Sequence, residues 1–311
     1  MKLISFVIPC YRSEHTVKSV VDEIINTVST RDGYDYEIIL VSDASPDNVY
    51  SVICDMASKN ERIKGMNLSR NFGQHAATLA GMKRSKGDLI ITVDDDGQIP
   101  VNELFKLVDK IDEGYDVVFA KYDSKKHSSF RNFGSHVNNI MMEKLINKPK
   151  GLAANSFIAL KRFVVDEIVM YNNPFTYIAG LVFRTTHNVT DVEVHHRKRE
   201  EGHSGYTFRK LFNLWLNGFT AFSIKPLRAA TYIGSVVAFI GFIYGIYIFI
   251  MKLVNPAMKI GYASLMVAIL FLGGTILLVL GLIGEYIGRI YICINQSPQY
   301  VVKESVNLEE Q

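Results

Sequence analysis

Two long uncharged segments near the end of the chain constrain its fold more than any other feature. Residues 229–251 and 260–284 run for 23 and 25 residues without a charged side chain. Because a helix needs about 20 apolar residues to cross a bilayer core, each segment predicts a transmembrane helix. Asn255 and Pro256 lie between them, where they suit a tight turn. The alternative is a helical hairpin buried in a soluble core, although such helices are rarely so long and so free of charge.

The rest of the chain has the charge content of a water-soluble domain. Residues 1–228 hold 57 of the 65 Asp, Glu, Lys and Arg residues, which is 25% of that stretch. The net charge of +3 argues against a polybasic nucleic-acid-binding protein. Lys225 and Arg228 precede the first apolar segment, and Arg289 follows the second. Because basic residues flank membrane spans on the cytoplasmic side, they favour a cytoplasmic soluble domain at the inner membrane.

The sequence predicts four parts in chain order. They are a cytoplasmic domain, an amphipathic interface helix, a two-helix transmembrane hairpin and a cytoplasmic tail, at residues 1–206, 207–228, 229–288 and 289–311. The interface helix is predicted because aromatic residues such as Phe208 and Trp215 stand beside Arg209 and Lys210. An ordinary amphipathic helix packed on the soluble domain is the alternative for this segment.

Short apolar runs alternate with longer amphipathic stretches in the first 120 residues. The predicted strands are Leu3–Ile8, Tyr36–Ser42, Ile63–Leu68, Leu89–Val93 and Asp116–Ala120, and the predicted helices are Glu14–Val28, Asp47–Lys59, His75–Arg84 and Val101–Glu113. Continuous apolar strands alternating with helices predict an α/β fold with a mostly parallel sheet. Because such sheets bind ligands at the carboxyl ends of their strands, the loops that follow the strands are the candidate site.

These loops contain neither a GxGxxG nor a Walker sequence, so dinucleotide-binding and P-loop folds are weakly supported. Polar residues follow each of the first four strands. Three of them, Ser13, Asp43 and Asp47, have a second interpretation as caps of the helices that come next.

The run Asp94–Asp96 is the sharpest chemical signal. Three adjacent acids at a strand end repel one another unless a cation or strong hydrogen-bond donors compensate. Because alternate side chains of an extended chain share a face, Asp94 and Asp96 can bind one divalent ion, with Gln98 adding a neutral oxygen. Such hard oxygen ligands indicate Mg²⁺ or Mn²⁺ rather than Zn²⁺. The alternative is a solvated acidic turn leading into a helix N-terminus.

Several segments, taken in order and together with the apolar tail, carry a family resemblance. They are Val7–Glu14, Val41–Asp47, Leu68–Gly73, Val93–Gln98 and the residues Arg199, Gly202, Ser204 and Tyr206. The chain resembles family 2 glycosyltransferases of GT-A fold, in the branch that attaches sugars to polyprenyl phosphates. Dolichyl-phosphate mannose synthase and the bactoprenyl-phosphate glucosyltransferases are examples of that branch.

The resemblance implies an inverting enzyme that moves one sugar from a nucleotide sugar to a polyprenyl phosphate such as undecaprenyl phosphate. It implies a UDP-sugar rather than a GDP-sugar, Mg²⁺ or Mn²⁺ as cofactor, and a homo-oligomer such as a tetramer. One alternative is a processive polysaccharide synthase, although two spans are too few to enclose a channel and Trp215 is not part of a Gln-x-x-Arg-Trp motif. The other is a non-catalytic membrane scaffold, against which the intact acidic run argues.

The same resemblance implies roles for individual residues. The base and ribose would be held by Pro9, Tyr11, Glu14 and Asp43, and further substrate contacts are implied for Arg70, Ser204 and Tyr206. Asp94 would lie near the nucleotide, while Asp96 and Gln98 would hold the metal. Arg131 and Arg199 are candidates to neutralise phosphates, because a guanidinium pairs with phosphate oxygens bidentately. Either arginine has a surface salt bridge as its alternative.

The chain also departs from the family pattern at several positions. Gln74 and His75 stand where many relatives have Lys-Glu, and Asn155 and Ser156 precede Phe157 where relatives often have an acid. These differences leave the sugar of the donor unpredicted.

Overall fold

The computed structural model describes residues 1–122, 143, 148–195, 225–255, 261–295 and 297–309. The chain forms two compact units. The first comprises Met1–Phe212 together with Gln296–Gln311, and the second is Asn213–Asn295.

The described residues of the first unit form an eight-stranded sheet with helices between its strands. The strands are β1 (Lys2–Cys10), β2 (Tyr34–Ser42), β3 (Ile63–Leu68), β4 (Leu89–Thr92), β5 (Val117–Tyr122), β6 (Ile158–Lys161), β7 (Val189–Val194) and β8 (Val302–Val306). The helices are α1 (Val17–Val28), α2 (Val49–Lys59), α3 (Gln74–Arg84), α4 (Leu104–Asp112), which follows the 3₁₀ turn Val101–Glu103, α5 (Arg162–Val169) and α6 (Ile178–Thr185).

The strand order is β7-β5-β6-β4-β1-β2-β3-β8. β1 pairs in parallel with β2 on one side and with β4 on the other, and β3 extends the parallel set beyond β2. The chain therefore changes its direction of travel across the sheet between β3 and β4. In open α/β sheets, ligands bind beside such a switch point, at the carboxyl ends of the strands. Here those ends belong to β1 and β4.

The apolar residues of the central strands are buried on both faces of the sheet. In β2, Ile38 and Leu40 pack in the cluster with α1 and α2, whereas Ile39 and Val41 pack in a second cluster with α3. This alternation explains why the strand reads as a continuous apolar run. α3 approaches the sheet closely at Gly81, where a Cβ atom would lie 2.4 Å from Val7 Cγ1.

The last strand of the sheet comes from the end of the chain. β8 pairs antiparallel with β3, and Ser69 donates its backbone N–H to the Val301 carbonyl at 2.8 Å. The sequence analysis predicted residues 289–311 as a separate tail after the second apolar segment. The strand was not predicted, since it is short and carries charges, such as Lys303 and Glu304, at exposed positions. The structure instead places β8 at the edge of the sheet in the first unit.

In the second unit, the described residues form two long helices, α7 (Lys225–Val254) and α8 (Tyr262–Ile294). Ala230–Ile248 and Phe271–Ile294 are long and apolar enough to cross a membrane, with 0% and 6% of their residues buried. This exposure argues against the alternative of a hairpin buried in a soluble core. Residues 207–224 of the predicted interface helix lie outside the described residues, and residues 225–228 belong to α7.

The second helix continues past the predicted end of its apolar segment. Glu285 and Arg289 lie one turn apart, and the guanidinium donates to Glu285 Oε1 at 2.9 and 3.1 Å. Because these charges pair along the helix, they do not end it.

Candidate active site

The loops after β1 and β4 are joined at the switch point by Asp95. Its carboxylate accepts the backbone N–H of Tyr11 at 2.8 Å, and its carbonyl accepts the Thr16 hydroxyl at 2.6 Å. Burial raises the pKa of this carboxyl. The sequence analysis assigned Asp95 no role, whereas the structure shows that it ties the two loops together.

A reciprocal pair of hydrogen bonds joins the loops after β1 and β2. The backbone N–H of Glu14 donates to Asp47 at 3.0 Å, and the backbone N–H of Asn48 donates to Glu14 at 2.9 Å. Arg12 and Ala44 adopt left-handed backbone conformations in these loops, with φ of 59° and 48°. Non-glycine residues pay strain for such φ values, and they cluster at functional sites. Glu14 thus braces the predicted nucleotide loop, and its contact with a nucleotide stays a prediction.

Asp43 holds the loop that follows β3. Its carboxylate accepts the backbone N–H groups of Phe72 at 2.7 Å and Gly73 at 2.8 Å, directly before α3. The residue is only 3% exposed, and burial raises its pKa. Asp43 therefore does not cap α2, the helix that follows it in sequence. It organises the Arg70–Gly73 segment beside it in space.

Two aromatic rings with arginines over them lie in these loops. Tyr11 is 44% exposed, and the Arg12 guanidinium lies 5.6 Å from its ring centroid. The Arg70 guanidinium lies 4.6 Å from the centroid of Phe72. An exposed aromatic ring beside cationic groups is a surface on which a base can stack while a phosphate is neutralised.

The acidic run begins at the carboxyl end of β4. Asp94 accepts a hydrogen bond from Gln74 Nε2 at 2.8 Å and another from the Ser156 hydroxyl. Burial, together with the negative charges of Asp95 and Asp96, raises the pKa of Asp94 to about 6. Every hydrogen-bond partner of this carboxylate among the described residues is neutral, so its charge is not balanced there.

The donor set suits a hard divalent cation. Asp94 and Asp96 offer carboxylate oxygens, and the backbone N–H of Gln98 donates to Asp96 Oδ1 at 3.1 Å, which fixes the turn. In the described part of the chain, no three His, Cys, Asp or Glu side chains already gather as a metal site. Mg²⁺ is commonly held by one or two carboxylates with water and substrate phosphates as its other ligands. Asp94, whose pKa is raised by burial, and the nearby carboxylate of Asp96 fit that arrangement.

A cavity of about 200 Å³ opens beside Asp94. Its lining includes Pro9, Gln74, His75, Asn155, Ser156 and Tyr177. A larger, open groove of about 620 Å³ lies between α5 and α6, lined by residues such as Phe163 and Arg184. None of the predicted site residues lines that groove, so the smaller cavity is the one related to the candidate chemistry.

The predicted site residues that the structure describes gather at the carboxyl edge of the central strands. They are Pro9, Tyr11, Glu14, Asp43, Arg70, Asp94, Asp96 and Gln98. Arg131, Arg199, Ser204 and Tyr206 lie outside the described residues. Sequence reasoning missed Asp95, Ser156 and Gln74 as partners that hold this edge together, although the departures from the family pattern at Gln74 and Ser156 marked two of them.

Comparison with known families agrees with this geometry. The model of Glycosyl transferase family 2 matches residues 5–169, and that of the GtrB C-terminal hairpin matches residues 225–290. The chain belongs to glycosyltransferase family 2. The predicted family, the mostly parallel α/β sheet of GT-A type and the C-terminal hairpin of apolar helices are thereby confirmed.

This glycosyltransferase has full-length relatives. An undecaprenyl-phosphate 4-deoxy-4-formamido-L-arabinose transferase of Proteus mirabilis is 32% identical over 310 residues, covering 99% of this chain and 95% of that protein. A Yersinia pestis protein of the same description is 33% identical over 313 residues, covering 100% of this chain and 95% of its own length.

Solved structures of other glycosyltransferases share the fold of this one. Mannosyl-3-phosphoglycerate synthase from Rubrobacter xylanophilus has a TM-score of 0.50 at 17% identity, covering 73% of this chain and 74% of that chain. Glucosyl-3-phosphoglycerate synthase from Mycobacterium tuberculosis, in complex with Mn²⁺ and UDP-glucose, has a TM-score of 0.50 at 17% identity, covering 70% and 77%. At such identity the likeness concerns the fold alone.

Proposed function

We propose that this glycosyltransferase moves one sugar from a UDP-sugar to undecaprenyl phosphate at the cytoplasmic face of the inner membrane, with inversion at the anomeric carbon. The observation that carries the proposal is the acidic run at the switch point of a family 2 sheet, in a chain that also carries the GtrB hairpin. The relatives named as undecaprenyl-phosphate transferases, which match over nearly the whole chain, support the acceptor.

The donor side of the proposal rests on the edge formed by the loops after β1, β2 and β4. Tyr11 offers an exposed ring for the base, with Pro9, Glu14, Asp43 and Arg70 in the loops around it. The Mn²⁺ and UDP-glucose bound by a distant relative of the same fold support UDP and a divalent metal.

A metal at Asp96 and Gln98, near Asp94, would neutralise the diphosphate and so make it a better leaving group. The side chains of the chain itself position the reactants. Gln74 and Ser156 orient the Asp94 carboxylate by hydrogen bonds, and Asp95 ties its loop to Tyr11. This bracing supports catalysis by orientation and charge complementarity.

The acceptor phosphate is the nucleophile. One of its oxygens forms the new bond to the anomeric carbon while the bond from that carbon to the diphosphate oxygen breaks, and the electron pair leaves with UDP. A phosphate monoester is already ionised near pH 7, so the reaction needs no strong general base. Arg131 and Arg199 are proposed to neutralise phosphate charge, and Ser204 and Tyr206 to contact substrate.

The path of the chain supports a cytoplasmic catalytic unit. The first unit includes the chain up to Phe212 and again from Gln296. Because one unit lies on one side of a membrane, the segment between these residues must cross the membrane an even number of times. Two spans meet that condition. Lys225 and Arg228 precede the first span and Arg289 follows the second, and these basic residues favour the cytoplasmic side for the first unit. A homo-oligomer such as a tetramer is proposed from the family resemblance, and the exposed surfaces of the two helices are available for helix pairing.

The test uses the full chain purified in detergent, with undecaprenyl phosphate, Mn²⁺ or Mg²⁺ and a panel of UDP- and GDP-sugars. Lipid products are read by mass spectrometry. A single sugar added to the lipid phosphate, and lost on chelation, is the expected result. Chains of added sugar would instead identify a processive synthase. Nucleotide-sugar binding without any product from the panel would contradict the proposed transfer and favour a scaffold.

A further inference from the structure

Three residues just before β8 contact the loops around the candidate site. These residues, 299–301, are called the strap below. β8 is antiparallel to β3, and Val302 pairs with Leu68 at the carboxyl end of β3. The strap therefore lies at the carboxyl edge of the sheet, where the candidate site lies. Asn307, which follows β8, lies at the opposite edge, because its amide contacts Ile63 at the start of β3.

Two residues of the strap hold the loop between β3 and α3. The Val301 carbonyl accepts the backbone N–H of Ser69 at 2.8 Å. Tyr300 and Phe72 pack on the same buried apolar cluster, which α3 shares with the sheet. Asp43 already accepts two backbone N–H groups from this loop, so the strap is its second support.

Gln299, the first residue of the strap, holds the loop between α5 and α6. Its Nε2 donates to the carbonyls of Tyr171 at 2.7 Å and Asn173 at 2.8 Å. Within the same loop, the Tyr171 hydroxyl donates to the Phe175 carbonyl at 3.2 Å. One side-chain amide thus binds two backbone acceptors of a loop, and removing the amide takes this donor from both.

The two loops that the strap holds meet beside Asp94. His75, near the start of α3, and Tyr177, just before α6, both line the cavity there. Their rings meet edge to face, with centroids 5.1 Å apart. Gln74, next to His75, donates to Asp94 at 2.8 Å. A displacement of Tyr177 would therefore act on the helix end that orients Asp94.

The contact between the two rings depends on packing rather than on charge. Burial lowers the pKa of His75 to about 4 and raises that of Tyr177 to about 12, so both side chains are neutral near pH 7. Dispersion forces weaken steeply when a gap of less than 1 Å opens between two groups. The contact therefore depends on the backbone positions of the two loops.

We propose that Gln299 is a positioning residue for the transfer reaction. By holding the loop before α6, it keeps Tyr177 against His75 and so fixes the side of the cavity next to Asp94. The inference rests on the proposed function for the identity of the reaction. It adds a residue outside the candidate site on which the rate of that reaction depends.

Three substitutions of Gln299 test the proposal in the full chain in detergent with Mn²⁺. Gln299→Ala removes the donor, Gln299→Glu replaces it with an acceptor of the same shape, and Gln299→Lys keeps a donor at a similar reach. Asn307→Ala is the matched control. Asn307 also donates one amide to two carbonyls, those of Ala57 at 2.7 Å and Ile63 at 2.9 Å, but at the opposite edge of the sheet.

Four measurements are made on each variant. Thermal melting reports stability, and calorimetry reports the affinity for UDP. The transfer assay with the panel of nucleotide sugars gives kcat and KM. Hydrogen exchange, read by mass spectrometry, reports local opening of residues 74–80 and 170–177 without needing a lipid product.

Gln299→Ala and Asn307→Ala should lower the thermal midpoint by a similar amount of a few degrees, because each removes two hydrogen bonds. Only Gln299→Ala should lower kcat, on the order of tenfold, and only there should exchange rise in both loops. UDP affinity should stay unchanged, because Ser69 and Phe72 keep their contacts. Gln299→Lys should restore most of kcat, and Gln299→Glu should be at least as slow as Gln299→Ala, because its carboxylate would face two carbonyl oxygens.

A Gln299→Ala chain with the wild-type kcat would overturn the proposal. Equal losses of kcat in Gln299→Ala and Asn307→Ala would also overturn it, because the effect would then follow from stability alone. A Gln299→Lys chain as slow as Gln299→Ala would contradict the role of the donor. Faster exchange in both loops of Gln299→Ala, in a chain that forms no lipid product, would support the contact made by Gln299 and refute the proposed transfer.

Discussion

Replacing Asp43 by Ala should loosen the loop after β3 and destabilise the catalytic sheet. The buried carboxylate accepts two backbone N–H groups, from Phe72 at 2.7 Å and Gly73 at 2.8 Å, and the substitution leaves both without that acceptor. A hydrogen bond to a charged group contributes about 1.5–3 kcal/mol. The desolvation that raises the pKa of Asp43 offsets part of this gain. The net loss should be about 2–4 kcal/mol in the free energy of unfolding.

A loss of this size is measurable as a thermal shift. For a unit of this size, 1 kcal/mol corresponds to about 2–4 °C, so the midpoint should fall by on the order of 10 °C. Asp88→Ala is the matched control. Its carboxylate accepts a single backbone N–H, from Leu3 at 2.9 Å, and is more exposed, so the expected shift is a few degrees at most. Asp43→Asn, which keeps one acceptor oxygen, should lie between the two.

The assay is the thermal midpoint of the full chain in detergent, measured with and without UDP. If Asp43 organises the loop, Asp43→Ala should lower both the UDP-free midpoint and the affinity for UDP. A variant that melts like Asp88→Ala but no longer binds UDP would refute this reasoning, because Asp43 would then act only as a nucleotide contact.

Three further predictions concern the acidic run and the last strand. Asp96→Ala should abolish metal-dependent turnover while leaving the thermal midpoint nearly unchanged, and a fully active variant would disprove the metal assignment. The pKa of Asp94 is raised to about 6, so this carboxyl is protonated below that pH, where it cannot bind a cation. Mn²⁺ affinity should therefore fall on the order of tenfold from pH 7 to pH 5, and calorimetry of Asp94→Asn should find no such dependence. Asn307, just after β8, donates from Nδ2 to the carbonyls of Ala57 at 2.7 Å and Ile63 at 2.9 Å. Asn307→Ala should therefore lower the free energy of unfolding by about 1–2 kcal/mol, measured by thermal melting. Lys303→Ala, which changes an exposed side chain, should leave it almost unchanged.

The central strands could be predicted because they are buried on both faces. Ile63–Leu68 was predicted with its observed bounds, and the other early strands differ from prediction by one or two residues at their ends. The predicted helix begins at Val101 as a 3₁₀ turn that follows Pro100, and α4 itself begins at Leu104. Apolar periodicity predicts where a helix or strand lies in the sequence, whereas the geometry of a helix's first turn depends on the residues that contact it in the fold.

The later strands carry weaker sequence signals. β6 has only four residues, and β7 reads Val-Thr-Asp-Val-Glu-Val with mostly half-buried positions. Neither has the long apolar run that marks β1 or β2. Their pairing also depends on distant partners, since β6 is antiparallel to both β4 and β5.

The position of the site followed from the rule that α/β sheets bind ligands at their strand ends, but its internal contacts did not. Ser156 reaches Asp94 across 62 residues of sequence, a contact that requires the strand order β6-β4. Asp43 lies just before α2 in sequence, yet it binds amides before α3, because β2 and β3 are neighbours in the sheet. The spacing of these residues along the chain does not predict either contact.

β8 is translated after all the other strands of the sheet, and this order has a consequence for folding during biosynthesis. Asn67 on β3 contacts Glu304 on β8 across 237 residues, so the edge of β3 is open while the ribosome makes everything between them. Unpaired strand edges are sites of aggregation in nascent chains. The sheet can close only after both apolar helices have been translated, and a nascent chain stalled before that point should be the form that depends most on chaperones.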